Sequence, residues 1–211
     1  MHISSDCLTG CVFVSLKAPM ETISMHMLSV ESGVPLKLLR SGKFSSEQWR
    51  DLAASSGFLA ESSIHVVSKK EITAQEINSC CNKLAQKEEN LKLVIIDGFE
   101  QINRYGDPSK REEEISETLG ALTCMARELS VAVVLTVSLP SRHSPPTIKD
   151  LEAYSESINK CADTVFFLHG NESTFELYVA RHQGWQGNLM CPLLRNVCGK
   201  FMPYPADGLW F

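Results

Sequence analysis

The sequence predicts an α/β fold in which a mostly parallel sheet is flanked by helices and ends in an antiparallel hairpin. Short strands rich in branched apolar residues alternate with amphipathic helices, and this order implies right-handed crossovers between parallel strands. No long helix separates the last two strands, at 175–181 and 187–195. These two are therefore expected to pair antiparallel at the end of the sheet.

Seven strands are predicted from runs of branched and apolar residues. The Pro-rich stretch LPSRHSPPTIKDL at 139–151 reads as a loop. Because there is no internal repeat or linker, residues 1–211 are interpreted as one domain with an atypical N-terminal segment at 1–10. The predicted strands cover 11–16, 64–68, 92–97, 131–139, 164–169, 175–181 and 187–195.

Three helices have recognisable starts or faces. Capping boxes at Ser45–Gln48 and Thr73–Glu76 open two of them, because the paired side chains satisfy backbone N–H groups at the helix start. The helix after residue 110 crowds glutamates into its first turn, where the helix dipole favours negative charge. Its apolar stripe consists of Ile115, Leu119, Leu122, Ala126 and Leu129.

Composition is that of an ordinary globular protein. Hydrophobic residues make up 44% of the chain and charged residues 21%, which argues against disorder. The net charge of −5 gives no global attraction to nucleic acid or to an anionic membrane. There is no apolar run of the ~18 residues that span a bilayer, and residues 1–10 do not form a secretory signal. A cytoplasmic location without a membrane partner is therefore expected.

The eight cysteines are expected to be reduced, mostly as small core residues. Cys7 and Cys11 with His26, or the Cys80–Cys81 pair, are conceivable metal ligands. No repeated C-x-x-C spacing supports such a site, so no metal is assigned.

The stretch LVIIDGFEQI at 93–102 ends a predicted buried strand in Asp97. Ligands of α/β folds bind at this end of parallel strands, and an aspartate there commonly holds the Mg²⁺ of a nucleoside triphosphate.

Together with this stretch, four others resemble the C-terminal RecA-like motor domain of DnaB-type replicative helicases. The resemblance runs from about Cys11 over nearly the whole chain, and LVIIDGFEQI matches the family's Walker B region. No single segment is decisive, but five in the right order and spacing are specific for the fold. The other four are VFVSLKAPMETISMHML at 12–28, SGVPLKLLRSGKFSSEQWRDL at 32–52, EEEISETLGALTCMARELSVAVVLTVSL at 112–139 and TIKDLEAYSESINKCADTVFFLHGNE at 147–172.

The resemblance begins after the family's P-loop strand and helix. The P-loop, G-x-x-x-x-G-K-[ST], cradles phosphate with backbone N–H groups. Ten residues precede Cys11, too few for this unit, and neither RSGKF at 40–44 nor CGKF at 198–201 completes the pattern. The sheet is therefore expected to lack this strand and helix, and no ATP or magnesium cofactor is assigned.

The resemblance also implies that the other catalytic groups are altered. The family's activating glutamate falls at Lys17, and a protonated ammonium cannot act as a base at neutral pH. The glutamine that ends the family's next core strand falls at Ser138. The family's Lys-x-Arg finger aligns with Arg181 and Gln183, so one cation of two remains. Of the catalytic devices only Asp97 is retained.

Each of these residues also has a simpler interpretation. Asp97 can cap the next turn instead of binding magnesium, and without a phosphate cradle this interpretation is favoured. Lys17 is either an anion ligand in the former pocket or, as we favour, a solvated lysine. Arg181 can reach across a subunit interface or serve its own chain. Trp185, in the turn QGWQGN, is either an interface anchor or packs on the sheet edge.

Two loops carry candidate nucleic-acid contacts. By the resemblance, the loops after Asp97 and Ser138 face the DNA channel of hexameric helicases. Basic residues there can contact the phosphates of a single strand, although three glutamates follow the first loop and no row of aromatic residues beyond Tyr105 accompanies the cations. Any binding is expected to be weak, salt-sensitive and confined to single-stranded DNA. The candidates are Arg104, Lys110, Arg111, Arg142 and Lys149, with His143 beside them.

The sequence therefore predicts a DnaB-helicase-like domain associated with DNA replication or recombination. It is expected to be a catalytically inactive interaction or assembly module. The alternative is an N-terminally truncated ATP-dependent helicase subunit that binds ATP and single-stranded DNA. Without the P-loop strand, strands 131–139 and 164–169 lack an interior neighbour, so they must either close on each other or bind another chain. A homodimer or a complex with a replication protein is expected.

Overall fold

Four parallel strands form the first sheet, in the order β2-β1-β3-β4. The structure is a computed structural model that describes residues 9–87, 90–102, 108–140, 144–171, 174–182 and 185–203. All three strand pairings in this sheet are parallel, as the alternation of strands and helices predicts. The strands are β1 Gly10–Ser15, β2 Ile64–Ser68, β3 Leu91–Asp97 and β4 Ala132–Thr136.

Helices connect these strands, and both predicted capping boxes are confirmed. The Ser45 hydroxyl accepts from the N–H of Gln48, and the Thr73 hydroxyl accepts from the N–H of Glu76. The helices are α1 Met20–Ser32, α2 Leu36–Ser41, α3 Ser46–Glu61, α4 Ala74–Ala85, α5 Arg111–Leu129, α6 Ile148–Tyr154 and α7 Glu156–Cys161, and 3-10 turns span Phe99–Gln101 and Pro108–Lys110.

The helices form two groups around the parallel sheet. Helix α1 packs with α2 and α3, whereas α5 packs with α4 and α7. Consecutive residues of β1, such as Cys11 and Val12, are both fully buried, so both faces of this strand are covered. Most of the predicted stripe of α5 is confirmed, because Ile115, Leu119 and Leu122 lie in the main hydrophobic core.

A second, separate sheet is antiparallel, in the order β5-β6-β7-β8. The predicted hairpin of the last two strands is confirmed as β6 paired with β7. It does not extend the parallel sheet, because β5 pairs with β6 across a short connection, and local pairing closes a smaller loop than pairing with β4 would. The strands are β5 Thr164–Gly170, β6 Thr174–His182, β7 Trp185–Arg195 and the unpredicted β8 Phe201–Pro203.

One face of the antiparallel sheet is apolar and lies partly in solvent. Val165 and Phe167 of β5 are buried in the main core, so the alternate residues Phe166 and Leu168 point away from it. Residues directly opposite in neighbouring strands lie on the same face. The register therefore groups eight residues into what we call the apolar face: Phe166, Leu168, Phe175, Leu177, Val179, Leu189, Cys191 and Leu193.

Each sheet has an unpaired edge. Among the described residues, β4 pairs with β3 alone and β5 with β6 alone. The direct closure of these two strands, one of the two expected arrangements, is therefore not adopted. Strand β4 is also shorter than the predicted 131–139, although Val137 and Leu139 still pack against the core.

No helix in the described part of the chain is both long enough and apolar enough to cross a membrane.

Candidate functional site

The candidate site lies where β1, β3 and β4 end. Parallel pairing in register places Ser15 of β1 beside Asp97 of β3, and Asp97 beside Thr136 of β4. Lys17 and Ser138 follow their strands by two residues. The sheet thus gathers Lys17, Asp97 and Ser138, three of the predicted site residues, at one edge.

The Lys17 ammonium is held inside this edge by two partners. Its Nζ lies 2.6 Å from Glu100 Oε1 and donates to Ser138 Oγ at 2.7 Å. The side chains of Lys17 and Glu100 are 32% and 15% exposed, so the carboxylate is the better shielded of the two. The ion pair therefore joins the chain after β1 to the turn after β3 and the segment after β4.

Gly98 provides the space for this arrangement. It has a φ of 90°, a backbone conformation that residues with a Cβ rarely adopt. A Cβ at this position would also lie 2.7 Å from Cγ of Lys17. Because the lysine stem crosses directly over the Gly98 backbone, any larger residue would force that stem to shift.

The electrostatics of Glu100 reflect its partner. Burial by itself acts to raise the pKa of this carboxyl group, but the hydrogen bond and the positive charge of Lys17 hold the pKa below its ordinary value. The second carboxylate oxygen, Oε2, is buried and has no hydrogen-bond partner in the described part of the molecule. The carboxylate therefore depends on Lys17 for much of its compensation.

Asp97 has a local partner of its own. Its Oδ1 accepts a hydrogen bond of 2.7 Å from the Thr136 hydroxyl, which in turn accepts from the Gly98 N–H at 3.0 Å. The side chain is only partly buried. The aspartate thus connects the ends of β3 and β4 through a hydroxyl.

The gathered residues are a poor donor set for a magnesium triphosphate. Magnesium favours oxygen ligands, usually one or two carboxylates together with phosphate oxygens. Here the carboxylate of Glu100 is engaged by an ammonium, and that ammonium would repel a divalent cation brought close to it. Across the described residues, no group of three Cys, His, Asp or Glu side chains could hold a metal ion.

Arg181 makes contacts within its own chain. Its Nη2 donates to both the backbone carbonyl and the side-chain oxygen of Asn159 in α7. Its Nε is buried without a hydrogen-bond partner in the described residues. In this conformation the guanidinium anchors α7 to β6.

The predicted nucleic-acid contacts are described only in part. Lys110, Arg111 and Lys149 are exposed, the first two at the start of α5 and the third in α6. Arg104 and Arg142 lie outside the described residues, as do Tyr105, His143 and Gln183. Trp185 begins β7.

The fold and the site together indicate the class of domain to which this chain belongs. A parallel sheet with helices on both sides, and a polar cluster at the carboxyl ends of its strands, is the architecture of nucleotide-binding α/β domains. The model of the DnaB-like helicase C-terminal domain family matches residues 1–186. The chain belongs to this family.

Curated relatives and solved structures agree with this membership. The chain is 32% identical over 187 residues to the replicative DNA helicase DnaB of Leifsonia xyli, a match that covers 82% of this chain and 40% of the relative. It is 31% identical over 164 residues to the DnaB of Geobacillus stearothermophilus, covering 75% and 36%. The chain thus spans about two-fifths of the length of these relatives.

Two solved structures have the same fold. One of them, described as an ATPase domain, superposes with a TM-score of 0.84 at 22% identity, covering 95% of this chain and 76% of that one. The other, a DnaB-like replicative helicase solved to show its interactions with primase, superposes with a TM-score of 0.82 at 22% identity, covering 93% and 51%. The RecA-like fold predicted from the sequence is confirmed.

Sequence reasoning missed Glu100, Gly98 and Thr136. Glu100 carries a sequence signal, because it lies three residues after Asp97 and its charge is opposite to that of Lys17. Gly98 directly follows a strand, where an isolated glycine often marks a close backbone approach. Thr136 has no such signal, because threonine is common within strands.

Proposed function

We propose that this chain is a DnaB-helicase-like domain that has lost nucleotide hydrolysis and serves as an interaction or assembly module in DNA replication or recombination. The observation that carries the proposal is the ion pair between Lys17 and Glu100. By the resemblance, Lys17 stands where the family has its activating glutamate. The position is therefore occupied by a group of opposite charge that is already bound.

Two further features support the loss of hydrolysis. A protonated lysine at neutral pH cannot accept a proton from an attacking water. The sequence also contains no G-x-x-x-x-G-K-[ST] pattern that would hold the phosphates. Asp97 supplies one carboxylate, but without a phosphate-binding loop beside it a magnesium triphosphate would have little else to hold it.

The role in assembly is supported by the apolar face. Phe166, Leu168 and Leu189 are 56%, 49% and 58% exposed. Val134 of β4 is also exposed, while its neighbours Val133 and Leu135 pack on the main core. Contiguous exposed apolar residues of this kind mark interaction surfaces.

The partner is a second copy of the chain or a replication protein. Within the described residues, β4 and β5 each have one edge without a strand partner, and such an edge offers backbone N–H and C=O groups to another strand. A two-fold dimer is the commonest closed assembly. One solved relative of similar fold was determined for its interactions with primase, and a primase is therefore the first replication protein to test. We propose a cytoplasmic location for this assembly.

Light scattering tests the assembly. The wild type is expected to run as a dimer at micromolar concentration, and Phe166→Asp with Leu168→Asp should shift it to a monomer. Phe58→Asp is a matched control, because Phe58 is also an exposed aromatic residue but lies on α3. A wild-type monomer that neither binds a hydrophobic dye nor captures a primase would contradict the assembly role.

The alternative is an ATP-dependent helicase subunit that binds ATP and single-stranded DNA. It is favoured by the fact that the chain spans only about two-fifths of its relatives. The Lys17→Glu variant tests whether this chain has a phosphate site of its own, because one restored base cannot replace a phosphate cradle. We expect no ATPase activity from it. Measurable turnover would favour the helicase subunit.

A further inference from the structure

The surface formed by α2 and the start of α3 combines stacked aromatic rings with exposed positive charge. Phe44 and Trp49 lie with their ring centroids 5.8 Å apart and their planes within 20° of parallel. Four exposed cations lie close to them in the chain. We call this surface the basic aromatic patch: Lys37, Arg40, Lys43, Phe44, Trp49 and Arg50.

The helix start fixes the position of the two rings. Ser45 and Gln48 form the capping box of α3, so Phe44 and Trp49 occupy the two positions of a hydrophobic staple across it. The staple accounts for the contact between the rings. It does not bury Trp49, which is 61% exposed, so the indole remains accessible to a second ring.

The charges around the rings are available as well. No ion pair joins any of the four cations to a carboxylate within the described residues. Residues 35–51 carry these four cations against two carboxylates, Glu47 and Asp51. The whole chain has the opposite balance, with 20 Lys and Arg against 25 Asp and Glu. The patch is therefore a local basic surface on an acidic protein.

We propose that the basic aromatic patch binds single-stranded nucleic acid, with a base stacked on Trp49 and the neighbouring cations on the phosphates. Stacking platforms beside positive charge are the usual means of holding single strands without sequence preference. Lys37 and Arg40 lie three residues apart on α2, a spacing that places both on the same side of the helix. An acidic peptide would use the charges but would gain less from an exposed indole face.

The first test is binding of a fluorescein-labelled oligothymidine of about 20 nucleotides, followed by anisotropy at low salt. Trp49→Ala is expected to weaken binding by about tenfold or more, because base stacking on one aromatic ring contributes roughly that factor. Phe58→Ala removes another exposed aromatic residue from the same helix and should change affinity less than about twofold. Equal losses in both variants would overturn the proposal.

Fluorescence and circular dichroism separate stacking from misfolding. The chain has three tryptophans, so the difference between wild type and Trp49→Phe isolates the emission of Trp49. That emission should be quenched by the oligonucleotide. Trp49→Phe should keep the helix content and lose less affinity than Trp49→Ala. Emission from Trp49 that is unchanged at saturating oligonucleotide would overturn the proposal.

The salt dependence tests the phosphate contacts. Lys43→Ala with Arg50→Ala should lower the slope of log affinity against log salt by about 1.4, at about 0.7 per contact for a single strand. Lys70→Ala with Lys83→Ala removes the same charge from exposed residues outside the patch and should change the slope much less. If the slope falls only with Lys110→Ala and Arg111→Ala, or an acidic peptide binds and the oligonucleotide does not, the proposal is wrong.

Discussion

The two sheets of this molecule share one hydrophobic core, but they differ in how completely they are covered. In the parallel sheet, β1 is buried on both faces. In the antiparallel sheet, β5 buries Val165 and Phe167 while Phe166 and Leu168 lie in solvent. The difference falls where the resemblance predicts a missing strand and helix. The exposed face of the second sheet is therefore the surface on which the proposed assembly depends.

The largest expected effect is a difference in lost stability when one apolar residue of each sheet is truncated to alanine. Ile96→Ala in β3 removes a fully buried side chain and should cost ~2–4 kcal/mol of unfolding free energy at any protein concentration. Leu168→Ala in β5 should cost less than about 1 kcal/mol in the monomer. In the proposed dimer its cost should grow with protein concentration, as urea unfolding at two concentrations would show. If both variants lost the same unfolding free energy at every protein concentration, the proposed difference between the covered and the exposed sheet would be contradicted.

Removal of either partner of the Lys17–Glu100 ion pair should lower the free energy of unfolding, but by different amounts. Lys17→Met leaves the shielded Glu100 carboxylate without its cation and should cost about 2 kcal/mol. Glu100→Gln leaves a lysine that can reach water and should cost about 1 kcal/mol or less. Thermal unfolding of both variants measures the difference. A larger loss from Glu100→Gln would mean that Lys17 is the more buried partner.

The same pair predicts a pH dependence. The folded-state pKa of Glu100 is held below its unfolded value by Lys17, so its contribution to stability is fully present above the unfolded pKa. It is lost as the pH falls through the folded-state pKa. The advantage of the wild type over Lys17→Met should therefore shrink as the pH falls through the acidic range in which Glu100 becomes protonated. An advantage that persists unchanged at low pH would contradict the ion pair.

The smallest expected effect is a difference in alkylation rate between buried and exposed cysteines. Burial raises the pKa of Cys11 to about 11, and burial together with the neighbouring Cys80 raises that of Cys81 to about 12. Cys124 and Cys161 are exposed. Alkylation at pH 8, followed by mass spectrometry, should modify the exposed pair first and the buried pair only after unfolding. Comparable rates for Cys81 and Cys124 would show that α4 opens readily.

Much of the fold could be predicted because its signals are local. The capping boxes at Ser45 and Thr73 and the apolar run before Asp97 each depend on neighbouring residues. The separation of the two sheets could not be predicted, because it depends on whether β5 pairs with β4 or β6. The three-residue β8 carries too little sequence pattern to be recognised.

The site was predicted less completely. Asp97, Lys17 and Ser138 could be placed at one edge because parallel strands end together. The contact of Lys17 with Glu100 depends on the positive φ of Gly98 and on the path of the lysine stem across it. These are tertiary features that no residue pattern encodes. The sequence therefore indicated Lys17, but neither Glu100 nor the ion pair between the two.

Calorimetric titration with ATP and Mg²⁺ tests the loss of nucleotide binding most directly. With the edge closed by the Lys17–Glu100 pair and no phosphate cradle in the sequence, we expect no saturable heat. The thermal unfolding temperature should also stay the same when ATP is added, because a ligand that does not bind the folded state cannot stabilise it. A saturable titration with a micromolar dissociation constant would contradict the proposed function.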